Sequence, residues 1–384
     1  MRVIAILATY NEARFIAGCL EHLFRQGVEV YLMDNCSTDD TVRIAERYLE
    51  RGLIGIETLP REGNFNLSAQ LRRKEVLFDA LAADWFMHVD ADEILVPPRS
   101  DRTLAQAFAD VKAQGYNAVN FLEFTFIPTQ EAPDHDHPDF QKTMRWYYPY
   151  LPFFPHRLNA WKQQPGPVEL AWSGGHKVRF PGLQMYPESF RMRHYLFLSV
   201  AHAIRKYVNQ RYDPAEVRAG WFEWRARLKP EMITLPRQAG LRTYTSDDEL
   251  DPSNPHTTEY IGELCEALWR SEQVRLADQE LTRLIEEGER FILVDDEQLR
   301  GEIARDRDAW HFLERDGEYW GLPADDETGI AELERLRRAG ARFIVFAWPA
   351  FWWLDYYSQF NRHLRSQFRC VLENDRLVVF NLQP

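Results

Sequence analysis

The chain has 384 residues, enough for two domains, and 45% of them are apolar, so a sizeable core is available. Its 59 acidic and 46 basic residues are mixed along the chain and give a net charge of −13, with no basic stripe to neutralise a nucleic-acid backbone. Nucleic-acid binding is therefore excluded, although one basic pocket for a diphosphate is not. The cysteines Cys19, Cys36, Cys265 and Cys370 lie far apart without a Cys-x-x-Cys pair, which argues for reduced thiols rather than a zinc site or a disulfide framework. No signal pattern opens the chain, and no apolar run approaches the ~20 residues of a membrane span. The expectation is a cytoplasmic protein that could sit peripherally at the inner face of a membrane.

Strand and helix patterns alternate through the first third of the chain. Val3 to Leu7 is a continuous apolar run, as in a strand covered on both faces. Phe15, Cys19, Leu20 and Leu23 then recur at helical spacing, and Val28 to Met33 reads as a second strand ending at Asp34. Ser37 to Thr41 supplies a helix start, with Val42, Ala45 and Tyr48 on the inner face. Ile54 to Leu59 is a third strand, Ser68 to Ala82 a helix, and Trp85 to Val89 a fourth strand running into Asp90. This order predicts an α/β fold around a mostly parallel sheet with right-handed crossovers. Ligands bind such sheets beyond the carboxyl ends of the strands. Thr9-Tyr10-Asn11-Glu12, Asp34-Asn35 and Asp90-Ala91-Asp92 all fall at those ends.

From about Thr125 to Gly182 the pattern is irregular and rich in Pro, His, Trp and Tyr, which suggests functional loops. Leu198 to Tyr212 returns to a helix, and the polar, proline-punctuated stretch 243–258 reads as a linker. The expected organisation is thus a nucleotide-binding domain over 1–242, a linker over 243–258 and a smaller α/β domain over 259–384. The last would begin with a long helix from about Glu259 to Glu286. Strands at Phe291 to Val294, Phe343 to Ala347 and Leu377 to Phe380 follow, with a helix between Asp325 and Ala339. Its hydrophobic turn from Trp348 to Asp355 could dock the nucleotide-binding domain, bind a partner or touch lipid.

Two carboxylates flanking one small residue, Asp90 and Asp92, can aim oxygen ligands at a hard cation that bridges a diphosphate; Mg²⁺ and Mn²⁺ both suit such a site. An Asp-x-Asp triplet alone is as readily a solvated acidic turn. Asp34 could accept from a base or ribose, or cap a turn. Thr9-Tyr10-Asn11-Glu12 could hold a nucleotide or simply join strand to helix. Arg145-Trp146-Tyr147-Tyr148, with Phe153, Phe154 and Trp161, has the aromatic composition of a sugar-stacking platform, though core packing explains these residues equally well. Asp134-His135-Asp136-His137, flanked by prolines, reads as an exposed loop rather than a metal cluster.

Ala8 to Glu12, Met33 to Thr41 and His88 to Glu93 together, in order and spacing, resemble glycosyltransferase family 2, closely over roughly the first hundred residues and on to about Tyr212. The resemblance implies the GT-A fold and a transferase that uses a nucleotide-sugar, UDP-linked above all, with Mn²⁺ or Mg²⁺. It implies that Asp34 recognises the base, that Asp90 and Asp92 hold the metal and diphosphate, and that Thr9, Asn11 and Glu12 line the nucleotide pocket. It also puts Arg72 or Arg73 near the nucleotide. Ser173 to Val178, His194-Tyr195 and Lys206-Tyr207 resemble a branch containing lipopolysaccharide-core sugar transferases. That branch implies a return of His194 towards the metal and a phosphate contact for Lys206.

Inverting transfer needs a base for the acceptor hydroxyl. Relatives frequently carry an acidic residue after the histidine equivalent to His176, whereas this chain has Lys177, which leaves Glu169 or His176 as the expected base and Glu188 or Glu123 as substitutes. The expected acceptor is a glycan or a lipid-linked sugar. The alternative reading, a non-catalytic glycan-binding or scaffolding protein on the same fold, draws on Lys177 and the unassigned C-terminal region. A nucleotidyltransferase would need a glycine-rich basic loop after the first strand, which is lacking.

Overall fold

The computed structural model describes all residues except 62, 152–155, 306 and 384, and the backbone but not the side chain of Glu223. The chain forms two compact units, Met1–Glu266 and Ala267–Pro384.

In the first unit, β1 (Val3–Thr9), β2 (Glu29–Asp34), β3 (Leu53–Thr58) and β4 (Trp85–Val89) are parallel, and the six-stranded sheet runs in the order β3-β2-β1-β4-β9-β6. Here β6 is Ala118–Val119 and β9 is Ala160–Lys162; β9 pairs antiparallel with both β4 and β6. Alternation along β1 explains why its apolar run is continuous. Val3, Ala5 and Leu7 pack with α1 (Ile16–Arg25) and α4 (Leu104–Ala113) on one face, while Ile4, Ile6 and Ala8 pack with α3 (Leu67–Ala80) on the other. The short α2 (Thr41–Ala45) completes the helical crossovers. Asn66 caps α3 by accepting from the Ala69 amide at 2.7 Å, and Thr103 with Gln106 forms a reciprocal capping box on α4.

A second sheet, absent from the sequence expectation, is built from β5 (Glu93–Val96), β7 (Phe121–Phe126), β8 (Trp146–Tyr150), β10 (Phe190–Tyr195) and β11 (Arg242–Thr243), in the order β11-β8-β7-β10-β5. The turn Asp90–Asp92 connects the two sheets. Register then places His194 of β10 opposite Glu93 of β5 and beside Thr125 of β7. Part of the segment expected to be irregular is therefore strand.

The stretch 243–258 is not a free linker. Thr243 pairs with Trp146, the Asp251 amide donates to the Tyr147 hydroxyl at 3.1 Å, and His256 bridges to Tyr150. The division between the units falls instead inside the helix Tyr260–Leu284. The helix expected over Leu198 to Tyr212 is shorter. Ser199 caps Val200–Ala203, and a wider π-type turn, Ile204–Val208, closes when the Asn209 amide donates to the Ile204 carbonyl at 3.1 Å. Such turns often re-aim a side chain at a functional site; here the side chain is Lys206.

The second unit has β12 (Phe291–Val294), β13 (Ala309–Trp310), β16 (Phe343–Ala347), β17 (Arg369–Glu373) and β18 (Leu377–Asn381), in the order β13-β12-β16-β18-β17. The first three are parallel, and β18 is antiparallel to β16. A hairpin of β14 (Glu314–Arg315) and β15 (Glu318–Tyr319) follows β13 in sequence. Helix Asp326–Arg338 buries Leu333 and Leu336, as its spacing predicts, and Asp325 caps it on the Thr328 amide at 2.8 Å. Among the described residues, no helix is long and apolar enough to cross a membrane.

Candidate active site

A cavity of about 450 Å³ opens at the carboxyl edge of the parallel sheet. Thr9, Asn11 and Glu12 line it from the end of β1, Asp90, Asp92 and Glu93 from the turn after β4, and His176, His194 and Lys206 from later segments. The structure brings these residues together around one cavity.

The two aspartates of the turn differ in their surroundings. Among the described residues, the Asp90 carboxylate has no hydrogen-bond or ion-pair partner; only its backbone is engaged, the amide donating to Glu93 Oε2 at 3.0 Å. Asp92 is 6% exposed, and its Oδ2 meets the Lys206 ammonium and His194 Nε2, the latter at 3.3 Å. Burial works to raise the Asp92 carboxyl, but Lys206 and His194 hold it well below the usual carboxylate range. Glu93 and Glu12 go the other way. Burial first, then neighbouring carboxylates, push each up to about 8, against the pull of Arg157 and His194 on Glu93 and of Lys206 on Glu12. One wall thus carries four crowded carboxyl groups. Its unpartnered Asp90 and the free Oδ1 of Asp92 are hard oxygen donors, which suit Mg²⁺ or Mn²⁺ with a diphosphate and water completing the shell.

His194 does not stand ready as a metal ligand. Its Nδ1 lies 2.6 Å from Glu123 Oε1 and its Nε2 faces Asp92, so both ring nitrogens are taken. Although burial opposes it, these two carboxylates hold the imidazolium well above its ordinary value. Glu123 is itself locked, because the buried Arg157 guanidinium donates to its Oε2 from Nε at 2.8 Å and again from Nη2. Despite burial, Arg157 and His194 hold Glu123 down to about 2. With one oxygen on His194 and the other on Arg157, this carboxylate has no oxygen facing the cavity to take an acceptor proton.

Of the two expected bases, His176 lines the cavity and Glu169 does not. Glu169 is exposed, pairs with Arg179, and bridges to that residue's backbone across a surface turn. The His176 imidazole is neutral, pushed down to about 3 chiefly by burial and then by Arg157, and its buried Nδ1 has no partner. Gly175 beside it adopts φ +88°, and a Cβ there would come within 2.8 Å of His88 Nε2, so glycine is required for this close approach.

Asp34 is buried behind the cavity rather than in its wall. Its carboxylate accepts from the Ser37 amide at 2.9 Å and from Thr9 Oγ1 at 3.4 Å. Asn11, at φ +59°, uses its side-chain oxygen to hold the Thr38 amide at 2.7 Å. Arg72 is exposed, and Arg73 is paired with Glu57 at 2.6 Å, so neither reaches the cavity. The basic residue of α3 that turns inward is Lys74. It is fully buried, lies 2.8 Å from His88 Nδ1, and is lowered to about 8 by burial against the pull of Asp90 and Glu93. The signal for it was available, since Lys74 shares the apolar face of Leu71, Leu77 and Phe78. Arg157 left no such trace in the sequence. Arg61 also went unnoticed; its guanidinium stacks 3.7 Å over the Tyr10 ring and donates to Asn35 Oδ1 at 3.0 Å.

Most of the suggested aromatic platform is core, although Arg145 is exposed and Trp146 half-buried. Tyr147 and Tyr148 are 2% exposed and Trp161 fully buried, while Phe153 and Phe154 lie outside the described residues. In the Asp134–His137 segment, Asp136 pairs with Arg14 and Arg205, and His135 Nδ1 lies 2.9 Å from Thr143 Oγ1. Among the described residues, no three histidine, cysteine or acidic side chains group as a metal site without help from other ligands.

A parallel sheet with an acidic turn at its carboxyl edge, continued into a second sheet that closes the cavity, is a GT-A nucleotide-binding architecture. Residues 4–162 match the family model Glycosyl transferase family 2, and this part of the chain is a glycosyltransferase domain of that family. No curated protein matches the chain. Among solved structures it is similar to S. aureus TarS, at 15% identity and a TM-score of 0.30, over 51% of this chain and 37% of that one. TarS 1-349 in complex with UDP-GlcNAc matches at the same identity and score, over 58% of its length. Glucosyl-3-phosphoglycerate synthase from Mycobacterium tuberculosis, in complex with Mn²⁺, UDP and glucosyl-3-phosphoglycerate, matches at 21% identity and a TM-score of 0.22, over 32% of this chain and 44% of that one. The chain thus spans less than two thirds of the length of each of these three.

Proposed function

We propose that the chain is an inverting glycosyltransferase that takes a sugar from a nucleoside-diphosphate sugar, UDP-linked, and passes it to a hydroxyl of a glycan or lipid-linked acceptor. The observation that carries this reading is the unpartnered Asp90 carboxylate, two residues from Asp92, in a cavity that Lys206, His194, Arg157, Arg205 and Arg225 also line. Thr9, Asn11 and Glu12 would border the nucleotide, with Asp34 behind Thr9 fixing the turn that meets the base.

Asp90 and the free oxygen of Asp92 would hold Mn²⁺ or Mg²⁺, which when bound supplies positive charge to the leaving diphosphate. Lys206 and His194, pinned by Asp92 and Glu123, keep two further cations in the same cavity without any reorganisation as negative charge develops. Binding both substrates in one enclosed cavity would exclude water and align the acceptor hydroxyl. His176 is the residue left to take the acceptor proton. Its imidazole is neutral and has a free nitrogen, and the growing charge of the departing diphosphate would raise its basicity.

Purified protein should hydrolyse or transfer from a UDP-sugar when Mn²⁺ is supplied, and Asp92→Ala should abolish that turnover. Unchanged turnover in Asp92→Ala would end the metal-site reading. The exposed position of Glu169 and the presence of Lys177 favour a second reading, a non-catalytic glycan binder. Failure to bind any UDP-, GDP- or dTDP-sugar in calorimetry would select it.

A further inference from the structure

The carboxyl ends of the parallel strands in the second unit carry a cluster that the transferase site does not use. Immediately after β12, Asp296 and Glu297 both adopt left-handed backbone, at φ +50° and +59°. Non-glycine residues take this conformation at a cost, and consecutive examples collect at sites where the surroundings enforce them. The enforcement here is visible. Asp296 accepts from the Trp352 indole at 2.8 Å through one oxygen and from the Trp353 indole at 2.9 Å through the other. Glu297 lies 2.6 Å from His311 Nδ1.

Trp353 is buried, but Trp352 and Tyr356 are 39% and 72% exposed. Their ring centroids lie 5.8 Å apart at 65°, so the two faces form an angled wall whose orientation Asp296 fixes. Tyr319, on the hairpin after β13, lies within electrostatic reach of both Asp296 and Glu297.

We propose that this edge is a carbohydrate-binding site, independent of the transferase cavity, that takes a neutral glycan. Rigid aromatic faces offer stacking surface to the C–H faces of pyranose rings at little entropic cost, and carboxylates beside them accept from sugar hydroxyls. The acidic character disfavours phosphate-bearing ligands and the anionic surface of a membrane, which attracts basic segments instead. The Asp296 carboxylate bonded to both indoles makes the edge of this aromatic wall polar, unlike the continuous apolar patch of a protein interface. Open α/β sheets bind ligands at this edge, beyond the carboxyl ends of their strands.

The test is titration of the full chain's tryptophan fluorescence with maltohexaose, cellohexaose and chitohexaose, read beside turnover of a UDP-sugar. At least one oligosaccharide should saturate the signal, and both Trp352→Ala and Tyr356→Ala should weaken it at least about tenfold. Turnover should stay unchanged in both variants. Tyr356→Ala removes an exposed ring, so a loss there cannot be put down to unfolding. No saturation by any of the three, saturation untouched by both substitutions, or preferential binding to phosphatidylglycerol vesicles would each overturn the proposal. Saturation in a protein without UDP-sugar turnover would uphold it while ending the transferase reading.

Discussion

The two walls of the transferase cavity are built on opposite principles. The wall at the ends of β1 and β4 is made of short polar runs, Thr9 to Glu12 and Asp90 to Glu93, each following a buried apolar strand. The other wall takes Arg157, His194 and Lys206 from three distant segments, and buried ion pairs tie them to Asp92 and to Glu123, which lies behind the lining. The first wall crowds carboxyl groups of one sign, and burial and mutual repulsion raise Glu12 and Glu93. The second must desolvate several charges, and it persists only because each charge is matched. Charge held dry and already oriented is worth most at a developing negative centre.

Breaking the second wall should therefore cost stability first. Glu123→Leu leaves the Arg157 and His194 cations buried without their shared carboxylate, and should lower unfolding free energy by roughly 3–5 kcal/mol in chemical denaturation. A loss below about 1 kcal/mol would mean the network is not dry. Lys206→Met should leave the fold intact but cut UDP-sugar turnover about 10²–10³-fold, the effect of deleting one preorganised charge donor. An unchanged rate would shift the whole burden to the Asp90 wall.

A third test uses pH. His202 faces the cavity and accepts from the Leu198 amide through Nδ1 at 3.0 Å; burial first and Lys206 second lower it from 6.5 to about 4. The unfolded chain takes up a proton between those values that the folded chain refuses. Stability should then fall as pH drops through 6.5 towards 4, by up to about 3 kcal/mol at the lower end. In His202→Gln the difference in denaturation midpoint between the two ends should shrink. At the small end of the scale, Glu169→Gln removes an exposed pair outside the cavity and should change turnover less than about twofold and stability by less than about 0.5 kcal/mol. A large loss would return Glu169 to the base role.

The contrast between the walls also explains what the sequence made legible. The strands ending at Thr9, Asp34 and Val89 announce themselves by apolar runs that stop at polar residues, and topology alone gathers those stops at one edge. In the second unit β12, β16 and β18 are readable for the same reason, whereas β13 and β17, short or half-exposed, are not. The β5–β7–β8–β10–β11 sheet was not, because its pairing depends on contacts between distant segments and its aromatics serve equally as core. Glu169 and Glu123 look alike in the sequence; one lies on the surface and the other is sealed by Arg157. Lys74 was findable from the helical face it shares with leucines, whereas Arg157 lies outside any strand or helix that would have given it a periodic signal.

The pairing of β10 against β5 has a consequence for anyone who would graft or reshape this enzyme. Side chains alternate faces along a strand, so adding or deleting one residue between Glu93 and Val96 or within Phe190–Tyr195 would turn His194 away from Asp92 and reverse its neighbours with it. These short ribbons behave as a ruler whose divisions cannot be altered. The exposed Arg99–Arg102 turn, beyond the end of β5 remote from Glu93, is where length can vary without disturbing the charge array.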